Sequence, residues 1–308
     1  MIEAHIRQRY PHNDPRSVVY RDELIRVCNE FVERGLADRK FVKELTAGQD
    51  SKFWASISEA LLADRLRDKN FPERFITVDE GPDFLIEDKD LKVWIEVICP
   101  EPRGIPRDWL SSFGKGITNF PHVDILLRWT AAIKEKAEKL IGNEEGTITG
   151  YLQKGVVASN EAYVIAVNGC QLRNGPFSAL YGISQFPFAV EAVFPVGPIQ
   201  LRINRETGKI VDRGHQHRPY IINRNEAQVS AFTFLDPRFN PISAIWAVDL
   251  NGGSVIGNSE PLAVIHNPNA LNPISVGFLP ADSEYVATPY SKDEFLLEKI
   301  ESKNISKG

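Results

Sequence analysis

The order of patterned segments predicts an α/β protein: a mixed sheet flanked by helices, preceded by an N-terminal helical segment and followed by a β-rich extension. Three observations lead there. An apolar-periodic helix over Phe53–Leu66 is followed by a hairpin, Phe84–Ile86 and Leu91–Ile98, across the polar Glu87-Asp88-Lys89-Asp90. A long amphipathic helix over Asp124–Ile141 comes next, with Ile125, Leu126, Trp129, Ala132, Ile133, Ala137, Leu140 and Ile141 as its stripe. The continuous apolar run Ala162–Asn168 then reads as a central strand buried on both faces. Helices alternating with strands in this way cover a sheet rather than form a bundle.

Taken in order, residues 1–17 are polar with two prolines and read as a loose or docked arm. Val18, Leu24, Ile25, Val27, Phe31, Val32, Leu36, Phe41 and Val42 suggest two helices broken near Gly35, and Ser51 is a candidate N-cap for the next helix. Residues 100–122 form a Pro/Gly-rich excursion carrying Trp109 and Phe113. Beyond Gly169 periodicity fades. Leu201–Arg213 alternates around a Glu206-Thr207-Gly208-Lys209 turn, Ile242–Leu250 and Pro261–His266 read as strands, and Glu294–Ile300 as a short helix. Trp94, Trp129 and Trp246 read as core. The expected organisation is 1–50 helical, 51–170 core and 171–308 extension, packed as one unit. There is no internal repeat.

The chain has 308 residues, of which 43% are hydrophobic and 25% charged, an ordinary globular composition. Lys and Arg number 36 against 41 Asp and Glu, a net charge of −5. General nucleic-acid binders are usually basic overall, so any such contact has to be local. Three cysteines without CxxC spacing argue against a disulfide framework and a structural zinc site. No signal-peptide or membrane-spanning apolar run is seen, which predicts a cytoplasmic protein.

Three carboxylates lie among apolar neighbours: Glu59 in the first core helix, Asp83 at the opening of one strand, and Glu96 inside the next. Strand side chains alternate between faces, so Glu96 shares a face with Trp94 and Ile98. A lone charge there costs several kcal/mol, so such a carboxylate is paired, protonated or metal-bound. Hairpin pairing brings Asp83 and Glu96 to neighbouring strand ends, where two oxygens can share one hard cation. A solvated helix glutamate is the plainer reading of Glu59, and lysines with heads in water the plainer reading of Lys134, Lys136 and Lys139.

Glu59, the Pro82-Asp83 dipeptide, Glu96, the helix containing Ala132-Ile133-Lys134-Glu135-Lys136 and the strand Tyr163–Asn168 resemble the PD-(D/E)XK nuclease superfamily, whose fold is that of restriction endonucleases. The resemblance covers roughly Phe53–Asn168. It implies a restriction-endonuclease-like mixed sheet and a divalent-metal-dependent hydrolase of phosphodiesters, with DNA as the expected polymer. It implies Asp83 and Glu96 as ligands of Mg²⁺ or Mn²⁺, Glu59 as a further member of the site, and a lysine that orients the attacking water. The lysine expected two residues after Glu96 is replaced by Ile98. The following helix offers Lys136, or failing that Lys134, in its place.

Residues 201–224 hold six Lys/Arg against two acids, and Arg202, Arg205, Lys209 and Arg213 are candidate phosphate contacts. A solvated surface loop is the competing reading. The alternative function is a catalytically inactive nuclease-fold protein that binds nucleic acid or a protein partner, consistent with Ile98 and the acidic balance. A homodimer fits either reading. A third possibility is a metal site on His215 and His217, whose spacing in a strand puts both imidazoles on one face, with His266 as a third ligand.

Overall fold

The computed structural model describes residues 1–67, 75–76, 81–88, 91–111, 119–175, 177–255, 262–290 and 295–301. Phe113, Lys89, Asp90, Pro261 and Glu294, named above, lie outside them.

The N-terminal segment is helical throughout: α1 (Ile2–Arg9), α2 (Pro15–Glu33), α3 (Phe41–Leu45) and α4 (Asp50–Arg67). The arm expected over residues 1–17 is in fact α1 and the start of α2. Ile2 and Ile6 bury against the sheet-covering helices, so α1 is docked. Helix α2 starts earlier than its apolar pattern shows, because Asp14 accepts the Arg16 and Ser17 N–H groups and Pro15 sits where a missing N–H costs nothing. It ends before Gly35, whose φ of +69° suits a residue without Cβ. Helix α4 begins at Asp50 and includes Ser51, so Ser51 is not its cap.

Strands β1 (Phe75–Ile76), β2 (Phe84–Asp88) and β3 (Leu91–Ile98) form an antiparallel meander. Two helices, α5 (Arg107–Ser111) and α6 (His122–Ile141), and the short α7 (Tyr151–Lys154) lead to β4 (Ala162–Asn168), which runs parallel to β3. The remainder contains α8 (Phe188–Val193), a ribbon of β5 (Val196–Ile203) and β6 (Ile210–His217), and a small hairpin of β7 (Tyr220–Ile222) and β8 (Gln228–Ser230). It ends with β9 (Ala244–Val248), α9 (Gly252–Val255), β10 (Leu262–His266), β11 (Ser283–Pro289) and β12 (Phe295–Glu301).

Among the described residues, one eight-stranded mixed sheet has the order β1-β2-β3-β4-β9-β10-β11-β12. The extension therefore continues the sheet through β9, which pairs parallel with β4. The tail is an edge strand, not the expected helix, because its backbone pairs antiparallel with β11 from Phe295 to Glu301. The stretch of weak periodicity after Gly169 hides α8, whose residues are all buried and so show no polar face.

Alternation sorts the sheet residues into two cores. Phe84, Val93, Ile95, Ala162, Val164, Trp246 and Val264 pack under α2 and α4. Leu85, Trp94, Tyr163, Ile165, Ile245 and Ile265 pack under α6 and α8. Strand β4 is buried at every position, and Trp94, Trp129 and Trp246 are core as read. Since Ile6 is wholly inaccessible, Ile6→Ala is expected to cost about 2–5 kcal/mol in denaturant unfolding. A cost near zero would mean that α1 is a loose arm after all.

Candidate active site

Glu96 lies in the middle of β3 and is 1% exposed. Phe84 pairs with Ile95, so the next position of the antiparallel register sets Asp83 opposite Glu96. The hairpin thus juxtaposes the two carboxylates, and Asp83 is fixed further by the Val97 N–H, which donates to its Oδ2 at 2.6 Å.

Helix α6 crosses the same face and supplies two cations. Lys136 and Lys139 both donate to Glu96 Oε1 at 2.7 Å. Their i, i+3 spacing puts both on one side of the helix. The Lys136 side chain is 10% exposed, so its ammonium is committed to the interior, whereas Lys139 is 41% exposed and reaches the surface. The Tyr163 hydroxyl donates to the Lys136 carbonyl at 3.3 Å and ties that turn of α6 to β4. Lys134 instead points outward and pairs with Glu138, so of the two candidate lysines only Lys136 reaches the carboxylates.

Tyr151 opens α7, and its hydroxyl donates to the Gly81 carbonyl at 3.3 Å and stands 3.5 Å from Glu96 Oε2. The chain before it packs hard against the end of α6. A Cβ on Gly150 would run into the Leu140 carbonyl oxygen. Lys139, read from the sequence as a lysine with its head in water, contacts Glu96, and so does Tyr151, which the sequence reading passed over. The signal for Lys139 was its sharing a helix side with Lys136; nothing local marked Tyr151.

Electrostatics bind these groups together. Burial, then the charge of Glu96, raise the Asp83 carboxyl to about 7, against the pull of Lys136, the Val97 N–H and Lys139. Burial pushes the half-buried Glu59 on α4 well above the ordinary carboxylate range, and Asp83 adds to it while Lys136 opposes it. Glu59 is therefore not a freely solvated helix glutamate. Burial alone would depress Lys139, but Glu96 overrides it and holds the ammonium above its usual range. Tyr151 is likewise held above the phenol range by burial, then by Glu96 and Asp83.

The donor set suits a hard dication in one respect and not in another. Hard oxygens face one another across two strands, and burial together with the charge of Glu96 raises the Asp83 carboxyl to about 7, a shift that a bound cation would oppose. Among the described residues, however, no three His, Cys, Asp or Glu are grouped as a metal site, so a cation here would rest on Asp83, Glu96 and water. Glu59 senses Asp83 without completing such a group.

The other sequence candidates lie elsewhere. His215 Nε2 sits 3.0 Å from the Ser184 carbonyl, while His266 pairs with Glu284 at 2.7 Å in the β10–β11 layer. His215, His266 and His217, which is exposed at the end of β6, form no metal group among the described residues. Arg202, Arg205, Lys209 and Arg213 are exposed on the β5–β6 ribbon, Arg202 within 3.9 Å of Asp212. Of the same basic stretch, Arg218 pairs with the buried Glu191, and Arg224 pairs with Asp124 at the surface. No helix among the described residues is long and apolar enough to cross a membrane. No family model, no curated protein and no solved structure matches this chain.

Two outcomes are expected. Folded Asp83 releases its proton near 7, an unfolded aspartate near 3.8, so across that window the folded chain holds a proton the unfolded chain has lost. Stability in metal-free buffer should fall as pH rises through it, and Asp83→Asn should flatten the fall. Parallel pH profiles of melting temperature for wild type and variant would place the proton elsewhere. Glu96→Ala, which strands the buried Lys136 ammonium, should cost about 3–5 kcal/mol in denaturant titration.

Proposed function

We propose that the chain is a divalent-metal-dependent nuclease that hydrolyses phosphodiester bonds, with DNA as substrate. One observation carries this reading: Asp83 stands opposite Glu96 on paired strands, and Glu96 takes an ammonium from Lys136 of α6, in place of the family's lysine that Ile98 replaces. The order helix, antiparallel strands, helix, parallel strand around that site supports it, being the order expected of a restriction-endonuclease-like core.

In this reading Asp83 and Glu96 hold Mg²⁺ or Mn²⁺. The ion supplies a water of lowered pKa and positive charge at the scissile phosphate. Lys136 fixes the orientation of Glu96 and is the ammonium nearest the place where a water would be oriented. Lys139, charged and partly exposed, offers a contact to a phosphate oxygen that Lys136 is too deep to make. Glu59, whose carboxyl is raised by burial and by the charge of Asp83, would give up its proton more readily once a cation neutralised Asp83. The exposed ribbon cations Arg202, Arg205, Lys209 and Arg213 would contact the phosphates of a polynucleotide in this reading, and a pair of copies would allow both strands of a duplex to be cut.

One observation favours the inactive alternative. Ile98 occupies the family's lysine position, and both lysines are already satisfied by Glu96 as an internal ion pair. In that case the chain binds nucleic acid or a protein and does not cleave.

The test titrates Mg²⁺ and Mn²⁺ into wild type, Asp83→Ala and Lys136→Met, with a plasmid and a labelled single strand present. Metal-dependent cleavage should be abolished by Asp83→Ala and reduced by about 10²–10³-fold by Lys136→Met, the scale of losing one preorganised charge partner. Metal binding without cleavage of either polymer would support the inactive reading. Absence of both metal binding and cleavage from folded wild type would overturn the nuclease.

A further inference from the structure

Beyond the carboxylate site, the carboxyl ends of the two parallel strands β3 and β4 carry a second chemical feature. Cys99 follows β3 directly, and Cys170 lies in the tight turn Gly169–Leu172 that follows β4. Ile98 is in register with Val167, so both thiols leave the sheet at the same level on neighbouring strands. Their sulfurs stand 3.7 Å apart, unbonded, and both residues are buried.

We propose that Cys99 and Cys170 form a redox modification site, a dithiol that hydrogen peroxide converts to a disulfide, with Cys99 as the attacking thiol and Cys170 as the resolving one.

The surroundings of the two sulfurs differ, which assigns the roles. Gln171 Nε2 donates to Cys99 Sγ at 3.3 Å, and the Cys170 thiol is within donating reach of the same sulfur. Burial raises the Cys99 thiol, but the hydrogen bonds from Cys170 and Gln171 outweigh it and hold it below the ordinary range. Cys170 is pushed well above that range by burial, then by Cys99 itself and by Asp249. A stabilised thiolate beside a protonated thiol is the asymmetry that separates an attacking from a resolving cysteine.

Access is also built in. Gln171, the donor to Cys99, lines an open cleft of about 550 Å³ together with Trp54, Glu101, Leu110 and Arg173. A peroxide reaching Gln171 is one side chain from the Cys99 sulfur. Cys28, on α2, is 0% exposed and its thiol is raised to about 12 by burial alone, so it serves as an internal reference of the opposite character.

The chemistry balances without a further reactant. The Cys99 thiolate attacks one peroxide oxygen, the O–O bond breaks, and the departing hydroxide takes up the proton that the thiol had released. Cys99 is then a sulfenic acid. The Cys170 sulfur attacks the sulfenic sulfur, the S–O bond breaks, and the leaving hydroxide departs as water with the Cys170 proton. In sum, two thiols and one peroxide give one disulfide and two waters. The bond would tie the exit of the strand that carries Glu96 to the turn after β4. It rests on no assumption about phosphodiester cleavage.

The test treats folded wild-type protein with hydrogen peroxide, quenches it, denatures it, blocks free thiols with a maleimide and maps the peptides by mass spectrometry. The expected result is a Cys99–Cys170 linked peptide that grows with peroxide and disappears after dithiothreitol, with Cys28 still fully blocked. In Cys170→Ser, dimedone should trap a sulfenic acid on Cys99; in Cys99→Ser, Cys170 should remain a thiol. If Cys99 and Cys170 are still alkylated at peroxide levels that oxidise a free cysteine peptide, or if Cys28 is oxidised as readily, the proposal fails. The wild-type map decides alone where a variant does not fold.

Discussion

The structure depends on one costly act: the placing of a carboxylate in the middle of a sheet. Glu96 is buried between Trp94 and the partly buried Ile98 on a face otherwise apolar. Removing such a charge from water costs several kcal/mol, recovered only with a well-placed partner and further hydrogen bonds. Both partners come from α6, which must therefore cross β3 and β4 at a fixed height. Three contacts hold it there. The Tyr163 hydroxyl reaches the Lys136 carbonyl, Trp129 donates to the Ala179 carbonyl at 3.2 Å, and Gly169 leaves room for the Trp129 ring where a Cβ would meet it at 2.8 Å. The apolar stripe of α6 supplies the burial energy, and the lysines at its edge set the register.

What was legible in the sequence was whatever is decided locally or by alternation. Phe84–Ile86 and Leu91–Ile98 are apolar runs on either side of a polar turn, and β4 is apolar throughout because both its faces are covered, so strand, hairpin and central position could all be read. The pairing of Asp83 with Glu96 followed from hairpin geometry alone. The tail was misread because Phe295-Leu296-Leu297-Glu298-Lys299-Ile300 has no clear period, and what makes it a strand is the hydrogen bonding offered by β11, a partner distant in the fold. Helix α1 escaped notice because only Ile2 and Ile6 mark its buried side. The lysines were recognised as near the stripe, but long side chains usually end in water. Only the depth of Glu96 shows why Lys136 does not, and why Lys139 turns back to a carboxylate from a partly exposed position.

The C-terminal half is less an appendage than its texture suggests. Strand β9 covers the flank of β4 that would otherwise be an open edge, and β10 to β12 carry the sheet outward. What projects is the β5–β6 ribbon, where Leu201, Ile203, Ile210 and Val211 are each at least half exposed beside Arg202, Arg205, Lys209 and Arg213. The acidic overall charge and the local basic arm are thus separate features of the chain. The arm's exposed cations differ in this from Arg218 and Arg224 nearby, which pair with Glu191 and Asp124.

The carboxylate site and the cysteine pair are joined by one polar latch. Asn168, 0% exposed at the end of β4, donates to Ser58 on α4 and to the Leu250 carbonyl, and accepts from the Leu250 and Cys170 N–H groups. A buried amide so fully used fixes the ends of β4 and β9 and the flank of α4 as one body. Ser58, whose hydroxyl donates to the Trp54 carbonyl at 2.6 Å, is the neighbour of Glu59 and lies beside Cys99. The residue whose carboxyl is raised by burial and by the charge of Asp83 and a residue beside the Cys99 sulfur are therefore consecutive, on a turn anchored by the same asparagine. Any rearrangement that draws Cys99 toward Cys170 acts next to Ser58, and through α4 it acts on the position of Glu59. A change in the oxidation of the thiols is in this way mechanically adjacent to the charge balance of the carboxylates, although the two lie on opposite faces of β3.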